Sequence, residues 1–100
     1  MSPLFLVRLT DRPEGSAIRS RYLEAHKAWL GANGEQVRAA GLLRHEEQGA
    51  PFGACWIVAA ASRGDVERLV REDPFWAQGL RASCEILHWS RGFPPQPVTI

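Results

Sequence analysis

Residues 3–10 read "PLFLVRLT". The run is short, apolar and followed at once by turn chemistry, so it reads as a strand. Alternation sends Leu4 and Leu6 to one face and Phe5, Val7 and Leu9 to the other. Both faces are apolar, so a sheet built on this strand needs cover on two sides.

Working outward, "DRPEGS" (11–16) is a turn: Pro13 fixes φ and Gly15 loosens the chain. "SAIRSRYLEAHKAWLGA" (16–32) has helical spacing, with Ser16 as candidate N-cap. At 100° per residue, Ile18, Tyr22, Ala25 and Trp29 make one stripe, and Leu23 and Leu30 a second beside it. Ser20, Arg21, Glu24 and Lys27 fall on the far side. His26 projects between the two stripes, and Arg19 lies on the same bearing about two turns earlier. Gly31, Asn33 and Gly34 end the helix.

"EQVRAAGLLRHEE" (35–47) and "GAPFGACWIVAAAS" (49–62) read as two strands around a Gly/Pro loop. "SRGDVERLVRE" (62–72) is a second helix, with Ser62 and Asp65 in a capping-box arrangement and Val66, Leu69 and Val70 on its apolar face. "ASCEILHWSRGF" (82–93) is the last strand, and 93–100 is a Pro-rich tail unsuited to a central ladder. The order β-α-β-β-α-β is the ferredoxin-like split βαβ arrangement. It is an α+β domain over residues 1–100, one antiparallel sheet with both helices on one face. With no sequence left to cover the other face, the expected cover is a second copy, giving a homodimer through the sheet faces.

Composition narrows the partners. Hydrophobic residues make up 45% and charged residues 23%, with a net charge of +1. No basic patch suggests nucleic acid, and no apolar run approaches the ~20 residues of a membrane span. The start lacks a signal-peptide pattern. Cys55 and Cys84 fit no metal spacing, and strands three and four are not neighbours in this topology. A reduced cytoplasmic chain with two buried thiols is therefore expected. His45 and His88 also lack partners at metal-ligand spacing, so no metal or cofactor is expected.

Two residues could carry chemistry. His26 is either a core histidine with a satisfied nitrogen or a general acid/base, since imidazole titrates near neutral pH. Asp73, in "EDPFWAQGL" (72–80), is either the N-cap of a short turn that starts at Pro74, or the carboxylate that orients His26. One carboxylate can do both. Phe75 and Trp76 are packing residues or the apolar wall of a pocket. Arg19 is either solvated or a contact for an anionic substrate group.

Taken in order, "DRPEGSAIRSRYLEAHKAWL", "AAGLL" and "EDPFWAQGLRASCEILHWSRGF" resemble the YCII-related (YciI-like) family over about residues 3–93. The shared pattern is an arginine seven before a histidine, an Ala-Gly segment in strand two, and Asp-Pro-Phe followed by Gly-Leu before the last strand. Here these are Arg19 and His26, Ala40 and Gly41, and Asp73, Pro74 and Phe75 with Gly79 and Leu80. The resemblance implies a dimeric α/β barrel, with an active site built on a His–Asp pair carried onto His26 and Asp73. One kind of member removes chloride from a chlorinated hydroxyhydroquinone, and the fold resembles that of muconolactone isomerases. Two positions depart from the pattern: Leu23 stands where arginine is frequent, and the strand-two segment reads "AGLL" where "aGpl" is frequent.

The reading that follows is an enzyme of cofactor-free proton transfer, an isomerase or a lyase of dehalogenase type, acting on a small molecule. His26 moves the proton, Asp73 orients it, and Arg19, Tyr22 and Trp76 contact the substrate. The competing readings are a non-catalytic dimeric module that binds a ligand or a partner protein and, ranked last, an oxygen-using or haem-linked dimeric barrel.

Overall fold

A computed structural model describes residues 2–96; the end of the expected tail, 97–100, lies outside the described residues. The chain runs β1 (Leu4–Asp11), α1 (Ser16–Ala32), β2 (Val37–Leu43), β3 (Gly53–Ala59), α2 (Arg63–Glu72), α3 (Pro74–Ala77) and β4 (Arg81–Trp89). The sheet order is β2-β3-β1-β4, and every neighbouring pair is antiparallel. This is the expected ferredoxin-like α+β fold, with the short α3 added before β4. No helix among the described residues is long and apolar enough to cross a membrane.

Register assigns the two faces. Phe5, Val7 and Leu9 sit opposite Val58, Trp56 and Ala54 of β3. All six are buried and meet Val66, Leu69 and Val70 of α2 in one core. Burying each of these aliphatic side chains contributes about 1.5–3 kcal/mol. The other face carries Leu4, Leu6 and Ile57, all half-buried, beside Leu87 and Trp89. Leu87 is 46% and Trp89 36% exposed. The doubly apolar reading of strand one is thus visible as a packed face and an uncovered one.

Several boundaries differ from the sequence reading. The N-cap of α1 is Gly15, and Ser16 is already helical with no side-chain cap. Gly15 is held at the corner by its N–H to the Arg12 carbonyl, and a Cβ there would lie 2.5 Å from the Leu80 side chain. β2 starts at Val37, because Gln36 and Val37 still donate to the Asn33 carbonyl in the turn after α1. It ends at Leu43 and β3 begins only at Gly53, so residues 44–52 form a longer connection than expected. β4 stops at Trp89. Half of the expected capping box of α2 forms: Ser62 Oγ accepts from the Asp65 N–H, while the Asp65 carboxylate pairs with Arg68. Cys55 and Cys84 are free and half-buried rather than buried, since Cys55 lies on the uncovered face.

α1 is weakly covered. Ile18, Tyr22, Trp29 and Leu30 are half-buried, while Leu23 and Ala25 are exposed. Its one buried residue is His26. The helix is held on the sheet side by Trp29 and Leu30, which pack against the core, and by the contacts of His26.

Candidate active site

Pro74 explains where Asp73 sits. A residue before proline is driven out of the helical region, and Asp73 has φ −62° and ψ 126°. It therefore closes α2 and opens α3 at once. Its N–H donates to the carbonyls of Leu69 and Val70, and its own carbonyl accepts from Trp76 and Ala77. The carboxylate Oδ1 accepts the Phe75 N–H at 3.1 Å. Gly79, at φ 81°, then turns the chain into β4, a conformation that L side chains rarely adopt.

The same Oδ1 lies 2.7 Å from His26 Nδ1. His26 is 8% exposed and Asp73 1%. An ionised carboxylate only accepts, so Nδ1 carries a hydrogen, and Nε2 is the ring nitrogen that Asp73 does not engage. Nε2 is not among the buried polar atoms that lack a partner. Phe75 fixes the plane of the ring by stacking on it, with centroids 4.1 Å apart and planes inclined by 16°.

A second charged group stands behind the pair. Asp11 ends β1 directly opposite Arg81, which starts β4. Arg81 Nη1 donates to Asp11 Oδ1 at 2.6 Å, and Arg19 donates to Asp11 Oδ2. Arg81 Nη2 is 3.9 Å from Asp73 Oδ2. Both arginine heads also lie over the Phe75 ring, at 5.3 Å for Arg19 and 5.2 Å for Arg81. Two cations and two carboxylates thus balance around the histidine.

A cleft of about 260 Å³ opens onto this group between α1 and the β2–β3 side of the sheet. Arg19, Lys27, His26 and Arg81 supply its polar lining. Leu23, Leu30, Leu42, Ala54 and Trp56 supply the apolar walls. The lining contains no carboxylate, so the cleft suits an anionic guest.

Of the residues singled out from sequence, His26, Asp73 and Arg19 come together. Tyr22 and Trp76 do not join them on this cleft. Tyr22 is half-buried with Arg21 over its ring. Trp76 lines a different groove of about 320 Å³ with Arg63, Glu67, Arg71, Cys84 and Ile86. Successive side chains of a one-turn helix diverge, so Phe75 facing His26 sends Trp76 elsewhere. Asp11 and Arg81 were missed. The available signal was an acid at the end of the first strand and a base at the start of the last, which antiparallel pairing of these strands makes neighbours.

In the second groove, burial pushes the Cys84 thiol up. The Arg81 charge opposes that rise, and Glu67 and Glu85 add to it. A smaller thiolate fraction means slower alkylation. In a Cys55→Ser background, Cys84 is expected to react with iodoacetamide more slowly than free cysteine at mildly alkaline pH. Its rate should reach half-maximum at a higher pH. Labelling followed by mass spectrometry, as fast as free cysteine, would contradict this. The linkage sign is negative: the folded chain holds this proton longer, so this thiol's contribution to stability is lost as pH rises beyond the unfolded value.

Fold and site together define a class: a small ferredoxin-like α+β chain whose first helix carries a histidine locked to a carboxylate at the mouth of a cleft. The chain belongs to the YCII-related family, whose domain it matches over residues 4–90. No functionally curated protein matches it. Among solved structures it is similar to the 5-chloro-2-hydroxyhydroquinone dehydrochlorinase of Burkholderia phenoliruptrix, seen in complex with 2,5-dihydroxybenzoquinone. The identity is 29% and the TM-score 0.81, over 89% of this chain and 95% of that one. A provisionally assigned antibiotic biosynthesis monooxygenase from Bacteroides thetaiotaomicron shares the fold at 14% identity and TM-score 0.56, over 98% of this chain and 96% of the other.

Proposed function

We propose that the protein is a small-molecule enzyme of lyase type, in which His26 moves a proton and Asp73 orients it. The observation that carries this is the 2.7 Å contact between His26 Nδ1 and a buried Asp73, which leaves Nε2 as the free base on a cleft-lining ring. The likeness to a dehydrochlorinase supports elimination as the reaction class.

On a chlorinated hydroquinone-type ring, the chemistry balances without a cofactor. In the keto tautomer the carbon bearing chlorine also bears hydrogen. Nε2 takes the proton of the hydroxyl conjugated to that carbon. The O–H pair becomes a C=O bond, the ring pair shifts by one bond, and the C–Cl pair departs as chloride. The products are a quinone, chloride and an imidazolium, which Asp73 stabilises as in the base–orienter half of a catalytic triad. The developing oxyanion faces Arg19 and Arg81, and charge across the site stays balanced.

One observation favours the rival reading of a non-catalytic ligand-binding module: Asp73 already caps α3, so the pair also has a structural use. Turnover separates the two. The purified protein, given 5-chloro-2-hydroxyhydroquinone, is expected to release one chloride per quinone formed, at a rate unchanged by a chelator. A folded protein that releases none above background, or loses its rate on chelation, sinks the proposal.

The homodimer belongs to the same proposal. The uncovered sheet face, with Leu6, Ile57, Leu87 and Trp89, is the surface that a second copy would bury against its own equivalent. A cytoplasmic setting fits the two free thiols.

A further inference from the structure

The cleft is asymmetric in a way that the proton-transfer chemistry does not use. One part of its lining carries the Arg19 and Arg81 heads, over Phe75 and beside His26. Leu23 on α1 and Leu42 on β2 also line it, and they are 40% and 45% exposed. Both stand among the few large hydrophobic side chains this chain leaves open to solvent. Leu42 points to the helix side of the sheet, because it pairs with the core residue Ala54. Leu23 comes from one turn before His26 on the helix above it. Two leucines on different elements, uncovered and lining one cleft, gain burial only when something apolar lies between them.

We propose that Leu23 and Leu42 are specificity-determining residues. They clasp the halogen-bearing edge of an anionic ring whose ionised oxygen faces Arg19 and Arg81. This rests on the reading of the cleft as a substrate site and goes further by naming what the substrate must carry. The guest is a planar hydroxylated ring, charged at one edge and apolar at the other. A second charge at the apolar edge, such as a carboxylate, would be stranded between the leucines without a partner. Discrimination of this kind is bounded: one apolar substituent in a hydrophobic contact is worth roughly 10- to 200-fold. The leucines thus rank ligands by their apolar edge, while His26 and the arginines fix the orientation of the ring.

The test uses binding, so that it does not depend on turnover. The probes are 2-hydroxy-1,4-benzoquinone and its 6-chloro derivative, each a monoanion in neutral buffer with the chlorine on the edge opposite the charge, and binding is followed by calorimetry. The full chain is expected to prefer the chlorinated ring by about tenfold or more. Leu23→Ser and Leu42→Ser should each reduce that preference, and together abolish it, so the ratio of the two affinities and not either affinity alone is the readout. Both leucines are exposed, and thermal melts verify that the variants fold. Equal affinity of the native chain for both rings, or a preference that survives both substitutions, overturns the inference and leaves the proton-transfer proposal intact. If neither ring binds, the reading of the cleft as a substrate site fails, and the inference fails with it.

Discussion

His26→Ala and His26→Gln are both expected to lower kcat/KM for dehydrochlorination by on the order of 10²–10⁴, the usual range for a positioned general base. The two variants differ in what else they remove. Alanine leaves a space beside Phe75 and removes the imidazole from Asp73 Oδ1, which keeps only the Phe75 N–H. Leaving a buried acceptor less satisfied costs about 1–3 kcal/mol, so this variant should also melt earlier. Glutamine offers an N–H to the same oxygen but no nitrogen lone pair that could accept a proton at neutral pH. It should restore much of the lost stability and none of the rate. That split is what a catalytic role requires, because a purely structural histidine would let both quantities recover together. Chloride release and thermal melts on the same preparations read the two independently. A glutamine variant with near-native turnover would remove His26 from the chemistry.

The histidine could be found from sequence because helical spacing is a local property. Nothing beyond 100° per residue was needed to place His26 between the two stripes, and the fold confirms it as the buried point of α1. Asp73 was legible for a similar reason: Pro74 fixes the break between α2 and α3 whatever surrounds it. The exposure of α1's stripes was not legible. Periodicity states which side chains share a face, but coverage depends on how closely the sheet approaches, and Leu23 is left open at the cleft. Trp76 lines a different groove from His26, because adjacency in sequence to Phe75 does not carry over to adjacency in a pocket. Asp11 and Arg81 escaped because a lone charge at a strand end usually lies in solvent. Only the register of β1 against β4 buries them together. A local pattern marks the buried histidine, and long-range pairing supplies the electrostatic frame around it.

That frame carries the second large effect. Asp11→Ala is expected to destabilise the protein by about 3–5 kcal/mol, the range found when one partner of a buried ion pair is removed. Arg81 has a side chain 1% exposed, and its Nε already lacks a partner among the described residues. Without Asp11 its nearest carboxylate is Asp73, with Oδ2 at 3.9 Å. Arg19 is less confined and can turn toward water, so most of the cost falls on Arg81. Combining Asp11→Leu with Arg81→Met should recover part of the loss, since apolar replacement of a whole buried pair is often neutral or better. Chemical denaturation of the native chain, Asp11→Leu, Arg81→Met and the double variant measures the coupling directly. A loss under about 1 kcal/mol for Asp11→Ala would place the pair energetically among surface ion pairs. Turnover should fall as well, in whatever fraction of the variant stays folded. With Asp11 present, two cations and two carboxylates cancel around His26. Without it, the site holds an excess positive charge beside the ring that must accept a proton. The same missing carboxylate therefore weakens the fold and opposes the proton transfer, although Asp11 does not touch His26.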